Sequence, residues 1–217
     1  MLNLPKVTLL VLHIWGKPFP IEGLEACMKH ANFAEVRMLS HEPFYHPEIK
    51  WYKTPKIETM EQYSLYFIRE IWKCFDTEFC MTTHADGFII NPESWTDEFL
   101  NYDYIGAPWA FYGSRFRDKK SQPGIGNGGF SLRSKKICKY VSDNYYLIND
   151  NEDKYYSNVL DCAKPNYIKY PPVDLALQFA QETMLDKNIK PFGFHNFKTP
   201  GCNGGIYWYN EWKGKSE

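Results

Sequence analysis

No two cysteines of this chain stand in a C-x-x-C pair. Cys27, Cys74, Cys80, Cys138, Cys162 and Cys202 are scattered, which excludes a compact zinc site and a dense disulfide framework and points to reduced thiols. No apolar run approaches the ~20 residues that a membrane-crossing helix needs. The run at residues 7–14 is too short for that and lacks the small-residue cleavage site of a secretory signal, so it reads as a first strand. Neither sign of charge dominates, because 25 Lys and Arg face 26 Asp and Glu for a net charge of -1. Such a chain has no long-range field to draw it to nucleic acid or an anionic membrane, and neutral or small-molecule partners fit better. No internal repeat or low-complexity tract divides the 217 residues, a length that suits one domain, 1–217, with a sizeable core.

Aromatic residues, in contrast, are abundant at 18% (16 Tyr, 15 Phe, 7 Trp). Flat rings with polar edges fill cores, and they also stack on sugars and nucleobases. Periodicity predicts a strand at 7–14, closed off by Gly16, Pro18 and Pro20, then a helix over 21–32, a strand at 35–40 and an irregular stretch at 41–57. Thr59 and Gln62 have capping-box spacing, and Met60, Tyr63, Phe67, Ile71, Cys74 and Phe75 share one helical face, predicting a helix over 58–76. A strand running into Asp86, a short helix near 94–100 and strand-like residues at 102–109 follow. Strands alternating with helices imply an α/β fold with a mostly parallel central sheet, in which ligands bind beyond the carboxyl ends of the strands. Residues 110–123 show neither period and are rich in cations, as a mobile loop would be.

Three stretches could carry chemistry. In "THADGFIINPESW" an ionised group, Asp86, ends an apolar run, which is costly unless something such as a cation pairs with it. In "PGIGNGGFSLRSKK" four glycines crowd into residues 124–129. No strand precedes them as a dinucleotide fingerprint requires, and no Gly-Lys-Ser/Thr follows as in a phosphate-binding P-loop. What remains is a sharp turn or a backbone flush against a ligand. In "YPPVDLALQFAQETML" Asp174 opens a helical pattern, where an aspartate caps the helix and the dipole stabilises its charge. His195, among aromatics in "PFGFHNFKTPG", is either a hydrogen-bonded structural histidine or a ligand.

Taken in order, these features resemble the nucleotide-sugar glycosyltransferases of the GT-A fold. "THADGF" is similar to a degenerate Asp-x-Asp motif with His84 in the first place and Asp86 in the second. "GNGGFSLRSKK" followed by "PPVDLAL" resembles the Gly-Gly-x-Gly and Glu-Asp-Val pair of inverting galactosyl- and N-acetylhexosaminyltransferases, and "FHNF" resembles the late histidine of their metal site. More closely, "HADGFIINPESWTDEFLNYDYIGAPW", "GNGGFSLRS" and "PFGFHNF" resemble a glycosyltransferase-like family of bacteria and viruses known as a domain of unknown function, over roughly residues 5–198.

The resemblance implies a GT-A-like (Rossmann-like) single domain. It also implies a hexosyltransferase that moves a sugar from a nucleotide-diphosphate sugar to a hydroxyl of a glycan or lipid-linked glycan, inverting, with Asp174 as base. Asp86 and His195 would hold a divalent cation, Mn²⁺ in preference to Mg²⁺. His13, Trp15, His84, Asp86, Arg115, Arg133 and Lys198 would bind the donor, and Trp109, Asn127, Gly128 and Gly129 the acceptor or sugar, with Trp95 a further stacking wall. The loop around 112–124 would close over the diphosphate. Such an enzyme of polysaccharide biosynthesis is expected in the cytoplasm, meeting membranes only through its acceptor. The main alternative is a catalytically inactive GT-A-like module that binds glycans or nucleotide sugars. A sugar-phosphate nucleotidyltransferase would carry a glycine-rich, cation-bearing signature that "LHIWGKPFP" lacks, and scattered His and Asp alone would support a metal-dependent hydrolase.

Overall fold

Residues 9 and 11 of the first strand pack into one hydrophobic cluster, and residues 10 and 12 into another. This two-residue alternation explains the unbroken apolar run, since a strand covered on both faces has no side for polar residues. The computed structural model describes residues 1–109, 124–144, 151–163 and 166–216. Within it the first half of the chain forms β1 (Leu2–Leu12), α1 (Ile21–Met28), β2 (Ala31–Ser40), β3 (Lys50–Lys53), α2 (Met60–Arg69), β4 (Phe79–Thr82) and β5 (Gly87–Ile89). The second half forms β6 (Tyr104–Gly106), β7 (Pro108–Trp109), β8 (Gly124–Ile125), β9 (Ser131–Ser134), α3 (Lys135–Asp143), α4 (Glu152–Ala163), α5 (Val173–Phe179), β10 (Ala180–Gln181), β11 (Gly193–His195) and α6 (Asn203–Ser216).

The main sheet has the order β3-β2-β1-β4-β9-β6. β1 is parallel to β2 and β4, β2 is parallel to β3, and β9 alone runs against its neighbours β4 and β6. A smaller sheet, β10-β11-β5, lies beside it. Leu24, Phe130, Phe179, Phe192 and Phe194 cover one face of the main sheet, and Phe67, Ile137 and Tyr156 cover the other. This is the expected α/β fold, largely parallel and flanked by helices.

Several boundaries differ from expectation. The helix expected over 21–32 stops at Met28 because the chain must turn back at once, and Ala31 is already paired with Leu2. The predicted 58–76 helix is α2 followed by a 3₁₀ turn, Ile71–Lys73. The apolar face nevertheless continues through Ile71, Cys74 and Phe75, all buried. Thr59 caps α2 as its spacing suggests, accepting from the Gln62 amide at 3.2 Å, while the Gln62 side chain reaches the Glu58 amide instead of closing a full capping box. The irregular 41–57 stretch contains the edge strand β3. The strand expected to run into Asp86 ends earlier, at Thr82. The helical pattern of 170–185 yields only α5, after which the chain extends into β10. Asp174 does not cap α5: Pro172 holds that position with no side-chain bond, and Asp174 lies exposed in the first turn.

Candidate metal centre at the carboxyl edge of the sheet

β4 ends at Thr82 opposite Leu10, while β1 continues to Leu12. Beyond β4 the backbone amide of Gly87 returns to the His84 carbonyl at 3.2 Å, which forms a tight turn that places the half-buried Asp86 at the sheet edge. β5 then pairs antiparallel with β11, with Gly87 opposite His195. That register carries a histidine 109 residues later in the chain to the carboxylate. Donor atoms of His84, Asp86 and His195 all lie within 4.8 Å of one another.

Both imidazoles are engaged from behind. The Tyr63 hydroxyl meets His84 Nε2 at 2.7 Å. Glu182 Oε1 lies 3.2 Å from His195 Nδ1, and because a carboxylate only accepts, Nδ1 donates. His195 Nε2 is buried, faces Asp86 Oδ1 at 3.5 Å and has no hydrogen-bond partner. An orphaned buried nitrogen beside a carboxylate is costly unless something pairs with it, and a divalent cation would satisfy both groups. The residues therefore fit one, and the cluster can chelate a divalent metal.

The charges are strongly coupled. Burial works against charging His195, but Asp86 and Glu182 outweigh it and push its pKa up to about 9. Burial and then the neighbouring His195 charge take His84 down to about 4. Burial favours the neutral form of Asp86, but His195, His84 and Lys198 overcome it and bring the carboxyl down to about 2.

The glycine-rich turn is flush against side chains of the chain itself. A Cβ on Gly129 would overlap the His195 ring, one on Gly126 would overlap the Trp109 ring, and one on Gly128 would strike Glu152. Asn127 braces the turn by accepting from the Gly129 amide at 2.7 Å, and Thr82 ties it to β4 by donating to the Gly128 carbonyl at 2.8 Å.

The other expected site residues scatter. His13 and Trp15 follow β1 at the same sheet edge. His13 is buried, bonded to the Lys17 carbonyl at 2.7 Å and stacked on Phe19, while Trp15 is exposed beneath Lys56 Nζ. Lys198 is exposed and near enough to act on Asp86. Trp109 donates to Glu182 Oε2 at 3.2 Å. Trp95 is partly buried and packs edge-on against the core residues Phe99 and Phe192. Arg133 is 0% exposed, enclosed by the rings of Tyr156, Phe67 and Tyr104, and paired with Glu152 at 3.3 Å. Among the described residues, no hydrogen bond or ion pair joins Asp174 to the three clustered residues. Arg115 and the expected lid at 112–124, apart from Gly124, lie outside the described residues.

Sequence reasoning missed Tyr63, Glu182 and Asp153. Glu182 follows the two-residue strand Ala180–Gln181 inside a stretch that reads as helix, so no local pattern revealed it. Asp153 sits in the first turn of α4 against Gly128, where burial and then the Glu152 charge push its carboxyl up to about 7. Adjacent acids at a helix start ordinarily read as a solvated first turn, so nothing marked it.

A largely parallel sheet with one reversed strand, and an acid-histidine cluster where its central strands end, define a GT-A-like α/β protein. The chain belongs to the family described as "Protein of unknown function (DUF5672)", which matches residues 47–195. No curated protein matches the sequence. A glycosyltransferase involved in glycosylation of the major capsid of PBCV-1 is similar in fold, with TM-score 0.53, 14% identity and coverage of 94% of this chain and 98% of that one. The apo-form glycosyltransferase GlyE of Streptococcus pneumoniae TIGR4 gives TM-score 0.50 at 12% identity, covering 97% of this chain and 64% of that one. The bifunctional IspDF of Campylobacter jejuni gives 0.48 at 9% identity, with 71% of this chain matched to only 47% of that one. Among the described residues no helix is long and apolar enough to cross a membrane.

Proposed function

We propose that this protein is a glycosyltransferase that moves a hexose-type sugar from a nucleotide-diphosphate sugar to a hydroxyl of a glycan or lipid-linked glycan. The observation that carries the proposal is the unpartnered Nε2 of His195 facing Asp86, with His84 alongside, at the carboxyl edge of a GT-A-like sheet. A divalent cation held there would neutralise charge developing on the leaving diphosphate. One carboxylate with two imidazoles suits Mn²⁺ better than Mg²⁺, which prefers oxygen ligands throughout. In this reading the ends of β1, with His13 and Trp15, receive the nucleoside, and Lys198 adds a cation beside the diphosphate. The turn at 126–129 and Trp109 border the sugar and acceptor.

Inversion requires a base for the acceptor hydroxyl. The sequence resemblance offers Asp174. A specific observation favours a second candidate, Asp153, which lies against the glycine turn with a carboxyl that titrates near neutrality. We assign the protein to the cytoplasm, in keeping with its free, buried cysteines among the described residues. The test is a panel of nucleoside diphosphates and their sugars, with and without Mn²⁺, read by thermal shift and by donor turnover. A metal-dependent shift with sugar release or transfer is expected. A shift without turnover on any acceptor would make the protein a binding module, and no shift at all would remove the nucleotide-sugar reading.

A further inference from the structure

Glu182 is 4% exposed, yet both its carboxylate oxygens are committed to neighbours. Oε1 accepts from His195 Nδ1 at 3.2 Å and Oε2 from Trp109 Nε1 at 3.2 Å. Its backbone is fixed as well, since its carbonyl accepts from the amides of Gly204 at 2.6 Å and Gly205 at 3.0 Å at the start of α6. An indole can only donate, so Trp109 holds one oxygen and leaves the other directed at His195.

We propose that Glu182 is a positioning residue for the metal centre: it keeps the proton on His195 Nδ1, so that Nε2, which faces Asp86, is the nitrogen whose lone pair a cation bound there would take. The proposal rests on the metal reading above. Its chemical basis is general, because the second nitrogen of a ligating histidine fixes the tautomer and orientation of the first. The geometry also distinguishes it from simple charge balance. The side-chain groups around Glu182 are all donors, His195 Nδ1 and the Cys202 thiol (3.9 Å) at Oε1 and Trp109 Nε1 at Oε2, so a carboxylate satisfies both sides, whereas the single acceptor oxygen of a glutamine can face only one side and presents its NH₂ to the other.

The experiment titrates Mn²⁺, alone and with UDP, into wild type, Glu182→Gln, Glu182→Ala and the double variant Trp109→Phe/Glu182→Gln, following free Mn²⁺ by electron paramagnetic resonance. Near-UV circular dichroism confirms that each variant is folded. Loss of an outer-shell partner typically weakens metal binding ~10–100-fold, and Glu182→Gln should fall in that range. Removing the competing indole should let the glutamine oxygen turn to His195 and recover most of the loss. Folded Glu182→Gln that binds Mn²⁺ as tightly as wild type would overturn the proposal, and so would a double variant no better than the single one. If wild type binds no Mn²⁺ even with UDP, the metal reading itself fails, and the role of Glu182 with it.

Discussion

Gly87 on β5 stands opposite His195 on β11, and the His195 ring occupies the space where a side chain on residue 87 would be: a Cβ there would lie 2.8 Å from His195 Cδ2. Glycine at 87 and at 129 therefore leaves room for an imidazole, and the imidazole in turn fills the gap between the two glycines.

Gly129→Ala should test that fit. The added methyl has nowhere to go but into the His195 ring, and overpacking of this kind costs typically ~1–3 kcal/mol. Denaturant unfolding should show the loss, together with weakened Mn²⁺ binding. Gly214→Ala in α6, where a Cβ meets nothing within 4 Å, should instead be neutral or stabilise by up to ~1 kcal/mol.

His84→Ala, Asp86→Ala and His195→Ala should each reduce the mutual strengthening of Mn²⁺ and UDP binding. The coupling must be equal in both directions, so calorimetry of UDP with and without Mn²⁺, and of Mn²⁺ with and without UDP, should agree for every protein. Full coupling retained in all three variants would eliminate the cluster as the metal site.

Asp153 gives a pH dependence of defined sign. As a base it works ionised, so transfer should rise as pH increases through about 7. Its folded-state pKa is raised above 3.8, so the protonated carboxyl stabilises the fold fully below the unfolded value, and that contribution is lost as pH rises to about 7. Asp153→Asn should abolish the rising limb of the rate profile and flatten this part of the stability profile. Asp174→Asn offers the competing outcome: its side chain makes no cap bond, so the variant should fold normally, and a selective loss of transfer there would make Asp174 the base.

Arg133→Met should act on stability and leave donor affinity per folded molecule unchanged. The guanidinium is enclosed and paired with Glu152, and breaking a buried ion pair from one side typically costs ~3–5 kcal/mol because the other charge is stranded. Adding Glu152→Gln should recover part of that loss. A large fall in UDP affinity with stability intact would instead support contact with the diphosphate.

The sequence by itself determined the α/β class, the central strand that opens the chain, the Thr59 cap of α2, and the oddity of a carboxylate where an apolar run ends. These are local properties: alternation, capping spacing and side-chain polarity act within a few residues. Only the tertiary structure decided where α1 and α5 stop, because pairing of Ala31 with Leu2 and of Ala180 with Gly193 overrides helical periodicity. It also decided that Arg133 is a core residue, that Glu182 stands behind His195, and that Asp153 lies against the glycine turn. Those relations depend on strand register across long stretches of chain, and a one-residue slip between β5 and β11 would turn His195 to the opposite face of the sheet.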